Sequence, residues 1–194
     1  RWMAKNKSRF IYSFWFIIIS FSQYANASDE NPFSIKERKD IYSITRELVN
    51  HEEVGRSNSG KKVDKVIEWT KLSKYQLRPY CGATVQYCIE KAGYKIPKDV
   101  KNPLRARDWF TQDVIYYKGH YKGLYKEKPR LSDIVGFNFY GSEITHMGFF
   151  LWEIDESYSR TFEGNTSKPS NPNIEGFFDK KRLKRITIIR KLRL

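Results

Sequence analysis

Two cysteines, three histidines and a Glu-Gly-Asn triplet are the residues of this chain whose types could carry covalent chemistry. They are Cys81 and Cys88, His51, His120 and His146, and Glu163-Gly164-Asn165. A thiol within reach of an imidazole is a nucleophile with its base, and a carboxylate or amide behind the imidazole sets its tautomer. The two cysteines cannot pair if they share a helix: seven residues at ~1.5 Å rise separate their Cα atoms by ~10.5 Å, and a disulfide needs less than ~7 Å. At least one is therefore kept for another purpose. Cys81 follows Pro79-Tyr80 at the start of an apolar stripe, where unbonded N–H groups and the helix macrodipole favour a thiolate. Cys88 lies two turns further in among core residues and reads as inert filler.

The histidines differ in their surroundings. His51 sits beside Glu52 and Glu53 near an expected helix end and reads as solvated surface, and His120 sits in the basic loop Lys118-Gly119-His120-Tyr121-Lys122-Gly123. His146 alone opens a strongly apolar run, where a polar ring needs a reason. The bland reason is a core histidine satisfied by a carbonyl; the functional one is a base for Cys81. Glu163 and Asn165 are two apart, so on a strand they would share a face, and either could accept from the imidazole. As a bare pattern the triplet is also an ordinary turn. A carboxylate stabilises an imidazolium more than an amide does, which favours Glu163 as acceptor and leaves Asn165 to position the loop or donate to an oxyanion.

The elements that must position these residues follow from periodicity. Cys81, Val85, Cys88, Ile89 and Ala92 fall on one helical face, with Gly93 as the stop. Ile35, Ile41, Ile44 and Leu48 predict a helix over 34–53, and Val63, Val66, Ile67 and Trp69 another over 61–72. Asn102-Pro103 predicts the cap and first residue of a short helix running to Phe110. Residues 133–140, 145–152, 158–163 and 185–190 are rich in β-branched and aromatic side chains and predict strands, with turns at Gly141-Ser142 and Asp155-Glu156-Ser157. Met147, Phe149 and Leu151 on one face of the His146 strand, and Gly148, Phe150 and Trp152 on the other, predict a covered central strand. Helices first and strands later give an α+β domain, an antiparallel sheet with the Cys81 helix packed on it.

The chain ends and the charge bear on location. Lys5, Lys7 and Arg9 precede the twelve-residue apolar run Phe10 to Phe21, and Ala25-Asn26-Ala27 gives a small-x-small cleavage signature. Twelve residues are short of the ~20 that span a bilayer but suit the core of a signal peptide. Residues 1–27 are thus expected to be a signal segment and 28–194 a single domain, secreted or periplasmic, with no stable membrane span after signal removal. A short N-terminal anchor or buried helix is the alternative. The net charge of +14 falls to +10 without the four basic residues of 1–27. A basic surface implies an anionic partner, which for an exported chain means wall polymer, lipopolysaccharide or lipid rather than nucleic acid.

Taken together, these stretches resemble a family. Pro79-Tyr80-Cys81-Gly82-Ala83-Thr84-Val85 with Ala92-Gly93 is similar to the nucleophile helix of CHAP domains, the cysteine, histidine-dependent amidohydrolases/peptidases. Leu131 to Phe137 resembles their first core strand, Thr145 to Phe150 their histidine strand, and Phe162 to Ser167 their last catalytic strand. The resemblance covers roughly residues 45–167, including a helical lead-in from Glu53-Val54-Gly55 through Ser59-Gly60 to Val63. It implies a papain-like core, shared with NlpC-type peptidases, and a catalytic set of Cys81, His146, Glu163 and Asn165. The implied substrate is a peptide or amide bond of bacterial peptidoglycan, in a stem peptide, cross-bridge or N-acetylmuramoyl-L-alanine amide. Ser132 stands where the family more often has glycine. No Asp-x-Asp loop precedes Cys81, so no calcium is implied, nor any other metal or cofactor. The competing expectations are a papain-like protease or acyltransferase acting on a non-wall substrate, and a catalytically silent wall-binding module. The two thiols separate these readings. Cys81→Ser is expected to abolish hydrolysis and Cys88→Ser to leave turnover largely intact, with iodoacetamide labelling Cys81 first near neutral pH. Full activity in the Cys81 variant sinks the mechanism.

Overall fold

The computed structural model describes residues 32–55, 58–71, 79–111, 115–118, 128–139 and 143–190, which belong to one unit spanning 31–194. The expected signal segment, His120 and the Gly141-Ser142 turn lie outside them. Among the described residues no helix is long and apolar enough to cross a membrane.

Three helices precede most of the sheet. Helix α1 (Pro32–Leu48) buries Arg38, Ile41, Thr45 and Leu48 along one face and leaves Ile35 exposed. It stops five residues before the expected end, because Asn50 takes a left-handed φ of 63° and gives its N–H to Phe177. That turns His51–Glu52 into a two-residue strand, β1, rather than a last helical turn. Helix α2 (Lys61–Trp69) buries Val63, Val66 and Ile67. It ends before Leu72, with the Thr70 hydroxyl bonded to Val66 O and Lys71 left-handed at φ 54°. Helix α3 (Cys81–Lys91) matches the stripe read from the sequence and is buried along most of its length. The segment after it departs from expectation. Asn102 caps a tight turn, accepting from Leu104 N at 3.0 Å, and the only helix there is a 3₁₀ turn at Ala106–Trp109. Trp109 Nε1 donates to Pro103 O at 2.9 Å, which holds the turn closed.

The strands form one antiparallel sheet. Its members are β1, β2 (Ile115–Lys118), β3 (Ile134–Phe137), β4 (His146–Glu153), β5 (Tyr158–Lys168), β6 (Asn171–Leu183) and β7 (Thr187–Arg190), in spatial order β1-β6-β5-β4-β3-β7-β2. Thus β4 is central, as its two apolar faces require. Met147, Phe149 and Leu151 join Phe162 and Phe177 in the core beneath the helices, while Val135, Phe137, Phe150 and Ile189 cluster separately. Helix α3 packs on β4 and β5, and α1 and α2 pack against α3. The fold is therefore α+β, with the cysteine helix seated on the middle of an antiparallel sheet.

The start of β3 is tied to α1 by a buried ion pair. Arg38 Nη1 lies 2.7 Å from Asp133 Oδ1 and 2.8 Å from Leu131 O. Ser132 between them is left-handed at φ 64°, and its hydroxyl donates to Arg38 O at 2.8 Å. A left-handed residue here accounts for glycine suiting the position, and the hydroxyl bond gives serine a compensating contact. Arg38 and Asp133 side chains are only 7% and 1% exposed, so removing one partner strands a buried charge. Arg38→Met is expected to cost about 3–5 kcal/mol of unfolding free energy, read as a lower urea midpoint with an unchanged slope. A change below ~1 kcal/mol would mean water reaches Asp133.

Candidate active site

Cys81 is the first residue of α3 and is 3% exposed. The first turn of a helix leaves N–H groups outside its ladder, and Thr84 is the first to bond back, to Tyr80 O at 2.8 Å. His146 is the first residue of β4, and the Cys81 side chain is close enough to its ring to raise the imidazole's pKa. The ring packs beside Phe137 and Phe139, at centroid distances of 5.8 and 6.2 Å. Its Nε2 lies 2.9 Å from Glu163 Oε2, which leaves Nδ1 for the sulfur. The structure thus brings together Cys81, His146 and Glu163.

Glu163 is fully buried, and both its oxygens are occupied. Oε1 accepts from Thr161 Oγ1 at 2.6 Å and Arg182 Nε at 2.8 Å. Oε2 accepts from His146 Nε2 and from Arg182 Nη2. Gly148, two residues along from His146, makes room for this: a Cβ there would fall 2.9 Å from Glu163 Cγ and 2.2 Å from Phe162 O. Burial alone would raise the Glu163 pKa, but Arg182 and His146 overcome it and hold the carboxyl well below its ordinary 4.5. Being ionised, it can only accept, so Nε2 must carry a proton. Burial likewise opposes a charged His146, yet Cys81 and Glu163 prevail and raise it from 6.5 to about 9. The arrangement is a chain of alternating sign, with the guanidinium, carboxylate and imidazole leading to the thiol.

Asn165 takes a different place from the one the strand period predicts. The β5–β6 register slips between Gly164 and Thr166, and Asn165 is left-handed at φ 55°. This bulge breaks the alternation, so Glu163 and Asn165 do not share a face. Asn165 Oδ1 accepts from the Tyr80 backbone N–H at 2.7 Å, directly before the cysteine. The far end of Tyr80 is held as well, its hydroxyl donating to Glu53 at 3.0 Å. Asn165 therefore anchors the entry to α3 and does not touch the histidine.

The other candidates fall outside this cluster. Cys88 is a free, fully buried thiol whose pKa burial pushes up. His51 is exposed, its Nδ1 2.9 Å from Leu48 O. Arg182 and Thr161 escaped the sequence reading. Arg182 lies on a strand that pattern did not predict, and a basic residue in so basic a chain carries little signal. Among the described residues, two hollows bear on the site. The larger, about 380 Å³ and lined by Glu52, Glu53 and Glu175 among others, contains none of the reactive groups. The smaller, about 340 Å³, opens on Cys81 between Pro79, Asn102, Leu104, Arg105, Ala106 and Thr145. Among the described residues no group of histidine, cysteine and carboxylate side chains could hold a metal ion.

No family model, curated protein or solved structure matches the chain.

The shift on His146 has a sign that can be tested. In a cysteine hydrolase built on this pair, loss of the imidazolium would give the alkaline limb of kcat/KM, near pH 9 from the value above. Glu163→Gln removes one of the groups raising it, so that limb is expected to move toward the ordinary 6.5 while the maximum falls ~100-fold. Asn165→Ala should lower the rate with the limb in place. A limb that moves only in the asparagine variant would exchange the two assignments.

Proposed function

We propose that this chain is an exported cysteine hydrolase of the CHAP type, cleaving peptide or amide bonds of bacterial peptidoglycan. The observation that carries the reading is the Cys81–His146–Glu163 chain, with the thiol at a helix start and the carboxylate behind the imidazole. A binding module needs no nucleophile, base and buried counter-ion in line. The helix-on-antiparallel-sheet architecture and the order cysteine, histidine, glutamate are those expected of a papain-like core. The resemblance of Pro79–Val85 and Thr145–Phe150 to CHAP motifs supplies the substrate class. The apolar run before Ala25-Asn26-Ala27 and the net charge of +14 support a secreted or periplasmic protein that meets an anionic wall polymer.

In the mechanism His146 holds its proton between Glu163 and the Cys81 thiolate, which attacks the scissile carbonyl carbon. The C–S bond forms as the carbonyl π pair moves onto oxygen. That oxyanion lies at the start of α3, where unbonded N–H groups can receive it. Collapse expels the amine, which takes the proton from His146. The neutral imidazole then takes a proton from water as the hydroxide attacks the thioester, and release of the acid regenerates the thiolate–imidazolium pair. Glu163 stays ionised throughout and stabilises the imidazolium whenever it forms.

Mass spectrometry of muropeptides released from purified sacculi tests this reading. Wild type is expected to give new amine and carboxyl ends at one bond type, and Cys81→Ser none. Intact sacculi with cleavage of unrelated peptides would favour a papain-like protease on a non-wall substrate. Acyl transfer to an added amine in place of water would favour an acyltransferase.

A further inference from the structure

The hollow that opens on Cys81 has a wall built from residues 102–106, and that wall lies against the first turn of α3. Gly82, the residue after Cys81, lies against it so closely that a Cβ would fall 2.5 Å from Leu104 O and 2.8 Å from Pro103 O. The wall is held internally too. Leu104 N bonds to Asn102 Oδ1, Arg105 N to Asn102 O at 3.1 Å, and Asp108 N to Arg105 O at 3.1 Å. Trp109 closes it on Pro103. The main chain of Arg105 is therefore bonded on both sides, at a set distance from the sulfur.

Arg105 is exposed and has no hydrogen-bond or ion-pair partner among the described residues. The contrast with its neighbour is informative, because Arg107 is engaged by Glu143 at 3.1 Å and lies 3.9 Å from Asp108. Among the described residues no aspartate or glutamate lines the hollow. The other polar residues there can donate. Asn102 has spent its carbonyl oxygen on Leu104, which leaves its NH₂ group, and Thr145 offers an exposed hydroxyl. A guanidinium presents a planar fork of donors that matches a carboxylate in two parallel bonds. An uncompensated one beside a nucleophile favours an anion and repels a cation.

We infer that Arg105, with Asn102, forms a subsite for a free carboxylate on the substrate, carried one or two residues from the scissile carbonyl. The inference rests on the hydrolase reading and narrows its substrate to acidic peptides. The spacing follows from a peptide advancing ~3.3–3.6 Å per residue, with the arginine and the sulfur lining one hollow. Arg105 is a specificity residue here, and it takes no part in the proton transfers of His146.

The test uses two soluble wall peptides that differ only in a carboxylate or carboxamide beside the scissile bond. Wild type is expected to favour the carboxylate form about ten-fold or more in kcat/KM. Arg105→Gln should abolish the preference between the two forms, and Arg105→Lys should restore part of it. Because Arg105 is exposed and has no partner among the described residues, the variants should melt as wild type does. Equal rates for the two peptides in wild type, or an undiminished preference in Arg105→Gln, overturn the subsite and leave the hydrolase reading standing. Absence of Cys81-dependent turnover on both peptides and on sacculi overturns the hydrolase reading itself.

Discussion

A carboxylate sealed from water is the constraint around which this structure is organised. Moving such a group out of solvent costs several kcal/mol unless its lone pairs are filled, and Glu163 has every one of them filled. The donors come from three strands: Thr161 from β5 itself, His146 from β4 and Arg182 from β6. Each strand must therefore keep its register, since a slip of one residue would turn its donor to the other side. Phe137 and Phe139 flank the same group, with the Arg182 guanidinium 5.1 and 5.2 Å from their ring centroids. Aromatic faces beside the cation restrain it without competing for its donors.

The helix side is held independently. Tyr80 is gripped at its backbone by Asn165 and at its hydroxyl by Glu53, whose other oxygen accepts from Asn58 N. The cysteine therefore inherits its position from a residue with no reactive group of its own. The two halves of the site are joined through β5, which carries both Glu163 and Asn165. A polar triad assembled this way depends on the packing of α3 on β4 and β5 as much as on its own hydrogen bonds.

How much of this could be read in the sequence depended on how strongly each segment repeats. Helix α3 was legible because its apolar positions recur over three turns, and β4 because it is central and apolar on both faces. His146 stood out as a polar ring opening that run. Strand β6 was not legible: Asn171, Pro172, Asn173 and Gly176 read as loop, and only Gly176 to Phe178 form a buried stretch. With β6 went Arg182. The end of α1 was missed because a left-handed Asn50 bonded to Phe177, a tertiary contact, overrides a helical pattern that continues on paper. Asn165 was recognised as belonging to the site but given the wrong direction, since a period of two cannot foresee a bulge. The proposed choice of Glu163 over Asn165 as the histidine's partner came from charge, a property that does not depend on register.

The bulge has a meaning beyond the direction of one side chain. Gly164 lies against Thr84 of α3 and Asn165 against Tyr80, while Glu163 and Thr166 both meet Arg182 on the opposite side. One extra residue lets a single strand serve two clients that lie across the sheet from each other. Deleting that residue would give a more regular ladder, with its pairing improved and the nucleophile's anchor gone. For β5 the quantity that matters is a count of residues: an odd step in an even lattice, whose removal would make the strand tidier and leave Tyr80 without its anchor.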